Sequence, residues 1–169
     1  MAAGITYTPI ASTTLGSAAA SYTFSSIPNT YTDLVLIASM ADSNSGADQR
    51  MLVQVNGDTG TKYSTTTLYG NGSTVTNRSL TNRTQFDNES GAGNSITSPS
   101  ANIYHFMNYS NTTTYKSVLY RQNNLVNTYG ASMLVGLWRS TSAINSITIS
   151  CMANLIAGST FTLYGITAA

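Results

Sequence analysis

The sequence predicts an all-β protein: a single-domain antiparallel β-sandwich or jelly roll spanning residues 1–169. Three observations lead there. Short runs alternate apolar and polar residues with the period of two that a half-buried strand requires. Polar turns rich in Gly, Asn, Asp and Ser separate the runs, and these residues adopt tight-turn conformations at little steric cost. No window of about eleven or more residues keeps a 3.6-residue apolar period, so no substantial helix is expected.

Eleven strands follow in chain order. ITYTPIA (5–11) and SYTFSSI (21–27) come first, and the turn PNT ends the second. In DLVLIASMA (33–41), Leu34, Leu36, Ala38 and Met40 fill one face while Val35 and Ile37 fill the other. MLVQVN (51–56) runs into the turn NGDTG, and YSTTTLYG (63–70) into GNGS. SLTNRTQF (79–86) precedes the longest irregular stretch, 87–101. NIYHFMNY (102–109) and YKSVLYRQ (115–122) flank SNTT. In SMLVGLWR (132–139), Met133, Val135 and Leu137 oppose Leu134 and Trp138. INSITISCM (144–152) and STFTLYGI (159–166) complete the set. The expected core is Leu34, Leu36, Val53, Leu137, Trp138, Ile147, Ile149, Phe161 and Leu163. Strands 33–41 and 132–139 are apolar on both faces. A second sheet would cover one face, and a neighbouring subunit, or for Trp138 simply a loop, would cover the other.

Only 8% of residues are charged and the net charge is +1, against roughly 25% charged in an ordinary globular chain. The seven basic residues, Arg50, Lys62, Arg78, Arg83, Lys116, Arg121 and Arg139, are scattered along the chain. Nucleic acid binding needs clustered cations to neutralise phosphates, so it is not expected. No run of about eighteen apolar residues exists to cross a membrane. The N-terminal stretch MAAGITYTPIAS lacks the basic start and apolar centre of a secretory signal, which predicts synthesis in a cytoplasm.

Little in the sequence offers catalysis. His105 is the only histidine; beside Ile103 and Met107 on one strand face, it reads as a structural side chain with a satisfied hydrogen bond. A Ser-His-acid triad would have to pass through it, and no GxSxG nucleophile elbow occurs. Asp87 and Glu89 are carboxylates close in sequence at the edge of loop 87–101, a poor platform for paired acid–base work. Cys151, the lone cysteine, falls on a face with Ile147 and Ile149 and reads as a buried apolar thiol. In DSNSGAD, Asp42, Asn44 and Asp48 have the oxygen ligands of a calcium loop but lack the closing glutamate of an EF-hand, so a polar turn is the simpler reading. No cofactor is expected. The eleven tyrosines suit interfaces and sugar faces as well as strands.

Several stretches together carry a resemblance: 7–39 (YTPIASTTLGSAAASYTFSSIPNTYTDLVLIAS), 55–73 (VNGDTGTKYSTTTLYGNGS), 108–121 (NYSNTTTYKSVLYR), 135–149 (VGLWRSTSAINSITI) and 157–166 (AGSTFTLYGI). The chain resembles the small β-sandwich virion proteins of tailed bacteriophages, including those of cyanophages. These serve as capsid decoration (cement) proteins or as modules of fibres. The resemblance implies a non-enzymatic protein on the capsid surface of the virion, made in the host bacterial cytoplasm. Its implied partners are the major capsid protein and further copies of itself, most simply as a homotrimer. It carries over no catalytic residue. The sequence shows no coiled coil, stalk or collagen-like repeat, which favours a lattice-bound piece over a fibre. The alternative is a tail- or fibre-associated receptor- or glycan-binding module that uses loop 87–101.

Overall fold

The computed structural model describes residues 6–44, 50–87, 96–123 and 130–167. Among them the chain forms twelve strands: β1 (Tyr7–Thr14), β2 (Ala19–Phe24), β3 (Asp33–Met40), β4 (Met51–Val55), β5 (Tyr63–Gly70), β6 (Val75–Arg83), β7 (Phe86–Asp87), β8 (Ser100–Met107), β9 (Lys116–Asn123), β10 (Ala131–Trp138), β11 (Ile147–Leu155) and β12 (Thr160–Ile166). All pairings are antiparallel. One sheet has eight strands in the order β1-β12-β3-β8-β9-β10-β5-β6, and the other has four in the order β2-β11-β4-β7. The protein is thus an all-β sandwich of unequal sheets.

The core lies between the two sheets and follows strand alternation. Leu34, Leu36, Ala38 and Met40 of β3 point inward, as do Tyr104 and Phe106 of β8, Phe161 and Leu163 of β12, and Leu134 and Trp138 of β10. Met51, Val53 and Val55 of β4 and Ile147 and Ile149 of β11 meet them from the smaller sheet. Burying each of the larger aliphatic or aromatic side chains stabilises by about 1.5–3 kcal/mol.

Eight of the nine expected core residues are buried. Leu137 is the exception, half-buried on the outward face of β10. Its strand is apolar on both faces, so hydrophobicity alone does not say which face turns inward. The register decides: Trp138 pairs with Tyr63 and Lys116, and all three are buried, which turns Leu137 outward with Met133 and Val135.

Several strand ends shift by two or three residues from those expected, and two of the differences have a clear physical cause. The run 79–86 divides into β6 and β7, which belong to different sheets. Phe86 causes the switch. Its ring is fully buried and meets Tyr63 edge-on at 5.0 Å, and reaching that site takes the chain out of the eight-stranded sheet to pair with Val53. Strand 144–152 starts three residues later, at Ile147. The amides of Asn145 and Ser146 are held instead by Asn56 Oδ1, at 2.8 and 3.2 Å. Asn56 sits in a tight turn with Gly57: both have positive φ (54° and 61°), and the Asp58 amide donates to the Val55 carbonyl at 3.0 Å. Positive φ at both central positions favours the Asn-Gly pair.

The interior is polar at one end. Tyr120 OH donates to Asn102 Oδ1 at 2.6 Å and also meets Gln122 Oε1, and Asn102 Nδ2 donates to Ser100. Beside this network the Tyr104 hydroxyl is buried without a hydrogen-bond partner. An unpaired buried hydroxyl costs about 1–3 kcal/mol. Tyr104→Phe, which keeps the ring stacked on Phe106, is therefore expected to leave stability unchanged or raise it by about 1 kcal/mol. Urea unfolding checks this, and a clear loss of stability would mean that the hydroxyl has a bonded partner.

Candidate functional site: the outer face of the large sheet

The outward side chains of the eight-stranded sheet form two cross-strand rows. The first runs Tyr164–Val35–His105–Leu119–Val135–Thr66–Ser79. The second runs Ser12–Thr162–Ile37–Ile103–Arg121–Met133–Leu68–Asn77. Their centres are apolar and their ends are polar. Ser12 and Thr162 share a hydroxyl hydrogen bond at 2.9 Å at one end. Thr66 and Ser79 share one of 3.4 Å at the other.

This face is open to solvent. Met133 is 65% exposed, Val135 56%, Leu68 52% and Leu119 47%. The side chains line a trough of about 750 Å³ that includes Tyr7 of one edge strand and Asn77 of the other. A contiguous exposed apolar surface with a polar border is the usual composition of an interaction site. The sequence pointed to part of it through the doubly apolar strands 33–41 and 132–139. Val35 is buried among its row neighbours, while Ile37 is open. Leu68, Ile103, Leu119 and Arg121 were not foreseen. The usable signal was the alternation of β9, where Val118, Tyr120 and Gln122 turn inward and Leu119 and Arg121 turn outward.

His105 borders the trough. Its Nε2 lies 2.9 Å from Asp33 Oδ2, and the Asn108 amide donates to Asp33 Oδ1 at 2.6 Å. The pair joins residues 72 positions apart, so no local motif announces it. The imidazole fixes the start of β3 against the end of β8.

The other candidate groups lie elsewhere. Asp87 is buried, with Oδ2 2.7 Å from Arg83 and 3.5 Å from Arg50; Glu89 lies outside the described residues. Burial pushes the Cys151 thiol up, so it stays protonated and a weak nucleophile. Lys116 is almost fully buried. Its ammonium donates to the carbonyls of Thr114 and Thr141 at 2.7 and 3.2 Å, tying two loops together. Burial lowers its pKa. Four tyrosines, Tyr63, Tyr104, Tyr109 and Tyr120, are buried in the core, and the trough is mainly aliphatic. No group of three or more His, Cys, Asp or Glu among the described residues is placed to hold a metal ion. None of the described residues forms a helix long and apolar enough to cross a membrane.

Asp42 is fully buried, and its Oδ1 accepts the Asn44 amide at 3.1 Å. Asp48, its expected partner in a calcium loop, lies outside the described residues, as does most of loop 87–101. Burial raises the Asp42 pKa against the opposing pull of the Asn44 and Ala153 amides. A carboxyl whose folded pKa exceeds its unfolded value binds more protons folded than unfolded, so its contribution to stability falls as pH rises through that window. Asp42→Asn keeps an oxygen for the Asn44 amide and abolishes the titration. Its stability advantage over the parent is therefore expected to be largest at neutral pH and to shrink as pH falls toward 4, near the ordinary carboxyl value of 3.8. Denaturation curves of both proteins across that range check it; an advantage independent of pH would contradict it.

The fold and face together place the chain in a general class, the all-β sandwiches with an exposed apolar sheet face. No protein-family profile matches the chain, and no curated protein does. Among solved structures it is similar to a crystal structure of a protein of unknown function from Shewanella oneidensis MR-1. That likeness has 10% identity and a TM-score of 0.28; it covers 85% of this chain and 62% of the other, so the chain spans less than two thirds of that protein. A likeness so slight carries no argument about function.

Proposed function

We propose that the protein is a structural component of a tailed-phage virion: a capsid decoration protein that binds the outer surface of the major capsid lattice and stabilises the shell by buried interface area. The observation that carries this reading is the two-row apolar face of the large sheet, which no other segment among the described residues covers. A sandwich that shields one face of its larger sheet and exposes the other is suited to adhesion. The low charge of the chain fits the same role, because few ions must be desolvated on assembly. The resemblance to phage β-sandwich virion proteins supplies the setting, and a homotrimer at threefold sites is the symmetric arrangement it suggests. A ligand that binds only the intact lattice stabilises it by mass action, so decorated shells should break at higher temperature than bare ones.

Electron microscopy of purified particles tests the placement. Many copies spread over the shell are expected; a few copies at the tail would make the protein a tail or fibre module instead. Attachment should also survive salt. At about 1 M the screening length falls to about 3 Å, yet an apolar interface keeps its strength. Release at about 0.3 M, well below that, would show that ionic contacts dominate.

A further inference from the structure

We propose that the trough is a heterologous docking surface: it takes an elongated apolar segment of a different protein, which sets one carboxylate on Arg121. The virion reading above names the shell protein as that partner; the chemistry of the segment comes from the face itself.

Arg121 stands mid-row, between Ile103 and Met133. It is the one cation among the described residues without a hydrogen-bond or ion-pair partner. Arg50 and Arg83 are on Asp87, Lys62 is on Asp58, Lys116 is on two carbonyls, Arg139 is on Ser64, and Arg78 is also engaged. A purely apolar cover would bury this guanidinium without a counter-charge, which is strongly unfavourable. Nor can a second copy supply the missing charge from its described residues. Asp33 is held by His105 and the Asn108 amide, Asp58 by Lys62 and Trp138, and Asp87 by two arginines, while Asp42 is buried. A two-fold dimer centred on the stripe would also set Arg121 against Arg121. With no free carboxylate among those described residues, and Arg121 set against Arg121 in a two-fold dimer, the cover that matches this face is a different molecule.

Shape and length identify it as polypeptide. A concave trough presents no wedge to a bilayer, and one cation makes no patch for anionic lipid or for phosphates. From β1 to β6 the sheet spans seven strand intervals, a contour of up to about 34 Å at about 4.8 Å each. That is the reach of about ten extended residues. Apolar side chains of the segment would cover Leu119, Val135, Met133 and Leu68, and its ends would meet the polar border.

Hydroxyl-radical footprinting on the unmodified protein tests this. Met133 reports on the trough; Met152 of β11, 56% exposed on the other sheet, is the internal reference. In the free protein both should oxidise readily. On particles Met133 should be protected about tenfold relative to Met152, the change that about 1.4 kcal/mol of coverage produces. Protection already present in the free protein would mean that a second copy covers the face, overturning the proposal. Equal reactivity on the shell and free would overturn it too, while leaving the virion reading intact. If particles lack the protein, the virion reading fails, and the trough is decided in solution with two dyes. The apolar anion anilinonaphthalene sulfonate should bind the parent about tenfold more tightly than Arg121→Glu, and uncharged Nile red should bind both alike. Equal binding of the anionic dye would overturn the inference.

Discussion

Replacing Trp138 with alanine is expected to destabilise the fold by about 3–5 kcal/mol, the range for truncating a large buried aromatic side chain. The ring is 2% exposed and lies 6.3 Å from that of Tyr63, its cross-strand neighbour. Its Nε1 donates to Asp58 Oδ2 at 2.9 Å, tying β10 to the turn after β4. Alanine would leave a cavity between the sheets where β5, β7 and β10 meet. Trp138→Phe would restore much of the volume but not the donor. Burial pushes the Asp58 carboxyl up, but hydrogen bonds from the Gly60 amide, the indole and Lys62, with the charge of Lys62, hold it below the usual range. Such a group stabilises above its unfolded pKa, and the contribution is lost as pH falls through its folded pKa. Without the indole that loss should begin at higher pH. Urea unfolding of both variants checks the effect; a midpoint shift in Trp138→Ala worth under about 1 kcal/mol would show that the site collapses around the lost ring.

Gly165→Val is expected to be nearly as damaging for the opposite reason. Gly165 faces inward on β12, and the Tyr31 ring lies flat against its backbone. A Cβ there would meet three ring atoms at 2.3–2.5 Å, closer than any non-bonded contact allows. The ring is itself packed against the core, so it cannot move aside without opening a gap. Overpacking of this kind costs about 1–3 kcal/mol, and more where backbone must shift; the extra methyls of valine place it at the upper end. The cause is specific and can be isolated. In a double-mutant cycle Tyr31→Ala should recover part of the loss in Gly165→Val, because the clash needs both partners. Strictly additive effects would mean that the valine acts through something other than the ring.

Both sites show why some of the structure lies beyond a reading of local pattern. Trp138 was expected to be buried because its strand is apolar on both faces, yet its hydrogen bond to a carboxylate 80 positions away was not foreseen. The need for glycine at 165 has no local signal at all. STFTLYGI reads as a plain alternating strand, and only the arrival of Tyr31 from the segment before β3 makes a side chain impossible there.

The sequence by itself determined the all-β class, most strand positions and eight of the nine expected core residues, because strand alternation and turn chemistry are local properties. The tertiary structure decided the rest, because it depends on which strands become neighbours. It placed β6 and β7 in different sheets, since Phe86 finds its pocket between them. It turned Leu137 outward, because pairing register fixes which of two apolar faces is buried. It also assembled the docking face: Val35, Leu119, Val135, Arg121 and Met133 come from β3, β9 and β10, and only cross-strand register sets them side by side.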